Sequence, residues 1–73
     1  MKVHYYPETD SLYIELSDAP SADSKEVAPG VVMDFDAIGQ LVGIDLDHAS
    51  KLADLSRLEA EGLPARTFST RLP

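Results

Sequence analysis

Residues 30–47, GVVMDFDAIGQLVGIDLD, decide the fold because two runs of alternating residues flank a short turn. In both runs, VVMDFD and QLVGIDLD, apolar residues recur at every second position, which is the period of a half-buried strand. Between the runs, Gly39 can adopt the left-handed backbone conformation that a hairpin loop of three to five residues requires. The segment therefore predicts a β-hairpin.

The two faces of this hairpin differ in chemistry, because side chains alternate across a strand. One face is predicted to be apolar, with the residues Val31, Met33, Phe35, Val42, Ile44 and Leu46. The other face is predicted to be mixed, with Val32, Leu41 and Gly43 among the aspartates Asp34, Asp36, Asp45 and Asp47. Glu15 of a preceding strand is expected near these carboxylates.

The same segment also resembles a calcium-binding loop, with Asp34 at its first position, Gly39 at its sixth and Asp45 at its twelfth. Ile38 occupies the fifth position, where an oxygen ligand is needed. The flanking residues have the period of strands, whereas a calcium loop of this kind lies between helices. The hairpin explains Gly39 equally well, and we prefer it.

Three interpretations of the carboxylates on the mixed face remain open from the sequence. The carboxylates can be simply solvated, or paired with arginines of the same or a partner chain, namely Arg57, Arg66 or Arg71. They can also bind a divalent cation, since hard cations prefer carboxylate oxygens. Like charges that lie opposite each other in a sheet are unfavourable, so a compensating positive group is expected.

A second hairpin is predicted upstream, where KVHYY and SLYIELS flank the turn PETD. The loop that follows is rich in proline and small polar residues, with a short edge strand around residues 24–27. Leucines then recur at intervals of three from Leu52 to Leu58, which predicts a helix over about residues 49–61. Asp47 or Ser50 can cap its start, and Gly62 supplies a stop signal.

These elements predict one α+β domain over residues 1–73. It contains a small antiparallel sheet of four to five strands (two hairpins, strands within about 2–47), one C-terminal helix (about 49–61) and a tail (62–73).

A chain of 73 residues buries a small core, and with no cysteine it cannot add disulfides. Oligomerisation is the remaining supplement, so we expect a homodimer. Tyr13, Val32 and Leu41 on the mixed face favour a dimer contact there or at a sheet edge.

Several function classes are disfavoured. The formal net charge of −7 opposes nonspecific binding to nucleic acid, and no apolar run reaches the roughly 18 residues of a membrane span. The chain is therefore expected to be cytoplasmic.

His48 beside Asp47 is the residue pair closest to acid–base chemistry, but neighbours on a strand point to opposite faces. His4 is expected to be a partly buried sheet residue. We predict no catalytic, cofactor-binding or metal-binding residue and no enzyme activity.

The residues resemble a known family in three motifs, YYPETDSLYI, GVVMD and GQLVGIDLDHAS. These motifs are similar to those of domain-of-unknown-function family 2283, small uncharacterised bacterial proteins, and the likeness extends over about residues 4–52. The family has no assigned biochemistry, so the resemblance implies no catalytic residue. Members of the family resemble the products of small genes found beside candidate toxin genes, and this resemblance implies an antitoxin-like binding role.

Two functions are predicted from these observations. The first is a small non-enzymatic protein-interaction module that acts as a homo-oligomer, with an acidic face suited to a protein partner that has a basic surface. The alternative is a carboxylate-based protein that binds divalent metal and has hydrolytic or sensory activity.

Overall fold

The computed structural model of the protein describes residues 1–59 and 61–64. It contains an antiparallel sheet and one short helix, with the elements β1 (Lys2–Tyr6), β2 (Ser11–Glu15), β3 (Asp23–Ala28), β4 (Val31–Phe35), β5 (Leu41–Leu46) and α1 (Ala49–Leu52). The five strands are ordered β1-β2-β5-β4-β3 across the sheet. The predicted fold class, an α+β chain with an antiparallel sheet of four to five strands and a C-terminal helix, is confirmed.

Both predicted hairpins are present, and a third joins β3 to β4. Gly30 (φ 77°) and Gly39 (φ 85°) occupy the turns on either side of β4 in the left-handed conformation that glycine adopts without strain. The expected edge strand around residues 24–27 is β3, at one edge of the sheet. The pairing of β2 with β5 brings the first hairpin alongside the second, so one sheet forms.

Cross-strand partners share a face of the sheet, so the register defines two surfaces. One surface, the apolar face, consists of two rows that run from β1 across β2, β5 and β4 to β3. These rows are Val3–Ile14–Ile44–Met33–Lys25 and Tyr5–Leu12–Leu46–Val31–Ala28. The other surface, the polar face, has the rows His4–Tyr13–Asp45–Val32–Glu26 and Lys2–Glu15–Gly43–Asp34–Ser24.

The sequence prediction placed Leu41 on the face of the carboxylates, and the register corrects this. Asp34 pairs with Gly43 while Phe35 pairs with Leu41, so Val42 is an extra residue on β5. A bulge of this kind interrupts the alternation of side chains. Leu41 therefore lies opposite Phe35, which belongs to the apolar side of β4.

The core within the described residues is small. Val42 (3% exposed) and Ala49 (0%) are its only buried hydrophobic residues. Val3 (47%) and Tyr5 (38%) on the apolar face are exposed, and the other residues of the two apolar rows on β2, β5 and β4 are only partly buried. The described residues therefore cover the apolar face incompletely, and it is most exposed at β1.

The helix is shorter than the predicted range of about 49–61. It ends at Leu52, and Ala53 is extended (φ −145°, ψ 154°). The Asp54 carboxylate then accepts hydrogen bonds from the backbone N–H and hydroxyl of Ser56, a local turn that competes with helix formation. Leu55 (38%) and Leu58 (63%) are exposed, so the apolar stripe has no packed surface to stabilise a longer helix.

Candidate functional site

Tyr13 lies at the centre of the polar face and crosses over Gly43. A Cβ atom on Gly43 would stand 1.9 Å from the Tyr13 hydroxyl and 2.5 Å from ring carbon Cζ. Because glycine leaves this space open, the Tyr13 hydroxyl reaches across β5 and donates to Asp34 Oδ2 at 3.0 Å. Ser24 Oγ donates to Asp34 Oδ1 at 2.7 Å. Side chains of β2, β4 and β3 thus form one hydrogen-bonded group.

The electrostatics of this group favour a protonated tyrosine. Burial raises the pKa of Tyr13, and its hydrogen bond to the Asp34 carboxylate raises it further. Tyr13 is therefore protonated at neutral pH and donates its hydroxyl proton in the bond to Asp34. Burial also raises the pKa of Asp45, and the charges of Asp34 and Asp47 add to this shift. This is the sign expected for neighbouring carboxylates.

Only two of the four aspartates that were predicted to share a face do so. Asp34 and Asp45 share the polar face on neighbouring strands. Asp36 instead closes the turn between β4 and β5, because its Oδ1 accepts the backbone N–H groups of Ile38 (3.1 Å) and Gln40 (2.8 Å). Asp47 lies past the other end of β5, where its Oδ1 accepts the N–H of His48 at 3.1 Å.

This arrangement bears on the metal interpretation. Within residues 1–59 and 61–64, no group of three or more histidine, aspartate or glutamate side chains is placed to hold a metal ion. The carboxylates of the turn and of the strand end are already engaged with backbone N–H groups. Divalent-metal binding stays a prediction.

The expected arginine partners are not found at the carboxylates in the described residues. Arg57 forms an ion pair with Glu59, two residues along the chain. Arg66 and Arg71 lie outside the described residues. On the polar face itself, Lys2 Nζ stands 4.0 Å from Glu15 Oε2 across β1 and β2. Such an exposed pair contributes little to stability.

Neither histidine belongs to a group of convergent catalytic side chains in the described part of the chain. His48 Nδ1 stands 3.4 Å from Asp47 Oδ2, and both side chains are more than 60% exposed. His48 has a left-handed backbone (φ 51°) at the start of α1. His4 is partly buried on β1 as expected, and its ring stacks on Tyr6 with centroids 6.5 Å apart.

A second polar group, which the sequence did not predict, is centred on Asp10. The Asp10 carboxylate accepts the Tyr5 hydroxyl (2.8 Å), the backbone N–H of Ser50 (3.1 Å) and the Ser50 hydroxyl (2.6 Å). Its backbone carbonyl accepts the N–H of Ala49 at 2.8 Å. Asp10 thereby ties the β1–β2 turn to the first turn of α1.

This contact corrects the predicted helix cap. The N-cap residue is His48, and it makes no side-chain capping bond, whereas Asp47 or Ser50 was expected to cap. Asp10 supplies the acceptor from 40 residues earlier in the chain. The Ser50 hydroxyl and then the Tyr5 hydroxyl lower the pKa of Asp10, and the bond to Asp10 raises the pKa of Tyr5.

Comparison with known protein families identifies the family of this chain. A family model described as protein of unknown function, DUF2283, matches residues 2–50. The chain belongs to the DUF2283 family. The match spans all five strands of the sheet and ends at Ser50, so it includes both polar groups described above. The resemblance noted in the sequence is confirmed. No match was found among curated proteins or among solved structures.

Among the described residues, no helix has the length and apolar character needed to cross a membrane.

Proposed function

We propose that this DUF2283 protein is a non-enzymatic protein-interaction module that acts as a homo-oligomer. The observation that carries the proposal is the open apolar face. Ile14, Ile44 and Met33 occupy its central row, and none of them is buried. Contiguous apolar surfaces that a single chain does not bury are typical of surfaces that bind another protein.

The size of the core supports a homo-oligomer. Burial of Val42 and Ala49 alone is a small apolar contribution for a sheet of five strands. Chains of this length rely on disulfides, metals or oligomerisation when their own core is insufficient. The sequence has no cysteine, so disulfides are excluded. A second subunit can supply the missing apolar contacts.

The polar face supports a binding role rather than catalysis. Tyr13 and Ser24 both donate to Asp34, so these polar groups satisfy one another. A catalytic nucleophile needs a nearby base that takes its proton, and the raised pKa of Tyr13 opposes that role. The acids of the polar face favour a further protein partner with a basic surface. The antitoxin-like role rests on the family resemblance and stays a prediction.

Sedimentation equilibrium at micromolar concentration tests the proposal. We expect a mass of at least twice the 7.9 kDa of one chain, with dissociation on dilution. A folded 7.9 kDa monomer at every concentration would contradict it. Circular dichroism at the same concentrations shows whether the sheet persists in the dissociated chain.

A further inference from the structure

We infer that the apolar face, rather than the mixed face favoured by the sequence pattern, packs against the same face of a second copy, so that two sheets stack and both polar faces point outward. The inference rests on the proposed homo-oligomer and deepens it by naming the contact surface. Stacked sheets pack about 10 Å apart through interdigitating side chains, which is the arrangement of a β-sandwich core.

The composition of the apolar face suits this contact. Lys25 is the one charged residue in its two rows, and it lies on β3 at the edge of the sheet. Every other residue in these rows is aliphatic or aromatic. A face with a neutral centre is complementary to itself, because no like charges meet in the middle when two copies stack.

The described residues do not fully cover this face. Val3 is 47% exposed, and the central residues Ile14 and Ile44 are only partly buried. A second copy supplies an apolar surface of equal extent to cover the side chains that remain exposed.

The dimensions of the face also fit a second copy. Five strands about 4.8 Å apart, each about five residues of roughly 3.3 Å, cover about 400 Å² in projection. Two copies bury twice this projected area, and their side-chain surface is larger than its projection. The total approaches the roughly 1,000 Å² at the lower limit of specific protein interfaces.

Pairing of sheet edges is a less favourable way to form the dimer. β3 has a register shift between Glu26 and Ala28 and carries charged side chains, both of which discourage edge pairing. Pairing through β1 would extend the sheet but leave the apolar rows in water. Stacking of the faces removes them from water, which is the larger stabilisation.

Two single-cysteine variants, Val3→Cys and Tyr6→Cys, test the inference because the natural chain has no cysteine. Both positions lie on β1, on opposite faces, and they are equally exposed in one chain, at 47% and 48%. Any difference in thiol reactivity within the oligomer therefore reports the second copy. We expect iodoacetamide to modify the Val3→Cys thiol about tenfold more slowly than the Tyr6→Cys thiol.

The outcomes separate this inference from the proposed function. Equal modification rates in a protein that sediments as a dimer would overturn face-to-face stacking and leave the homo-oligomer standing. A folded monomer would overturn both.

Lysine substitutions at the same two positions give a second readout. Val3→Lys places a charge against the apolar surface of the other copy, so we expect its dimer dissociation constant to rise by about tenfold or more. Tyr6→Lys is the matched control and should leave the constant within about twofold of the natural protein. Equal effects of the two substitutions would contradict the inference.

Discussion

The two faces of the sheet differ in how completely contacts within one chain satisfy their side chains. On the polar face, Tyr13 and Ser24 both donate to Asp34, so a single chain completes this group. On the apolar face, Ile14 and Ile44 are paired across strands yet remain partly exposed. Hydrogen bonds need only a few correctly placed groups, whereas burial of an apolar surface needs a second layer of comparable area. The four-residue helix α1 does not provide that layer.

The largest expected loss of stability comes from a substitution on the apolar face, and it is compared with one on the polar face. Ile44→Ala, at the centre of the apolar face, should lower the free energy of unfolding by about 2–4 kcal/mol if the proposed second copy buries this side chain. Val32→Ala is the matched substitution on the polar face and should cost about 1 kcal/mol or less. Both residues are partly buried in one chain. Urea denaturation at fixed protein concentration measures the two values, and similar costs would mean that no partner covers Ile44.

A somewhat smaller effect tests the polar face. Gly43→Ala should lower the free energy of unfolding by about 1–3 kcal/mol, since the added Cβ displaces the Tyr13 ring and breaks its bond to Asp34. Denaturation in urea measures the loss. In a Tyr13→Ala background the same substitution should cost almost nothing, because the ring is absent. An equal cost in both backgrounds would show that Gly43 is needed for another reason.

The link between the β1–β2 turn and α1, to which Tyr5 of the apolar face also contributes, should respond to acid. The pKa of Asp10 is lowered in the folded protein, so the unfolded chain binds a proton more readily. The stabilisation by this carboxylate is therefore complete above its ordinary pKa of 3.8 and is lost as the pH falls through the lower, folded value. In Asp10→Asn, the melting temperature should decrease less steeply below about pH 4 than in the natural protein.

A matched control keeps this test specific. Asp18→Asn removes an exposed carboxylate from the loop after β2 and should leave the acid dependence of the melting temperature nearly unchanged. Identical pH profiles for Asp10→Asn and the natural protein would refute the role assigned to Asp10.

The smallest effect concerns repulsion on the polar face. The pKa of Asp45 is raised, so its ionised form destabilises the folded protein at neutral pH and protonation relieves this. Asp45→Asn should therefore increase the free energy of unfolding by a few tenths of a kcal/mol, since solvent screens an exposed charge. The gain should shrink at high salt. A loss of stability in urea denaturation would indicate that Asp45 has a favourable partner.

Local patterns predicted much of the fold and part of the site. Alternation around Gly39 predicted the second hairpin, and Asp34 and Asp45 do share a face. Asp36 and Asp47 were grouped with them because alternation was extended past the strand ends, where backbone N–H groups recruit carboxylates instead. The bulge that moves Leu41 has no clear local signal. The helix was predicted too long because its leucine spacing shows periodicity but not whether a surface exists to bury it.

The order of residues alone establishes the strands, the two predicted hairpins, the polar and apolar sides of β2, of β4 and of β5 after its bulge, and the DUF2283 family, because these depend on local periodicity and motifs. Folding in three dimensions adds the pairing of β2 with β5, the reach of Tyr13 over Gly43 to Asp34, and the bond from Asp10 to Ser50. These contacts join residues 21 and 40 positions apart for the two side-chain bonds. No local pattern encodes such a distance, because it is fixed only when the strands pair and their side chains meet.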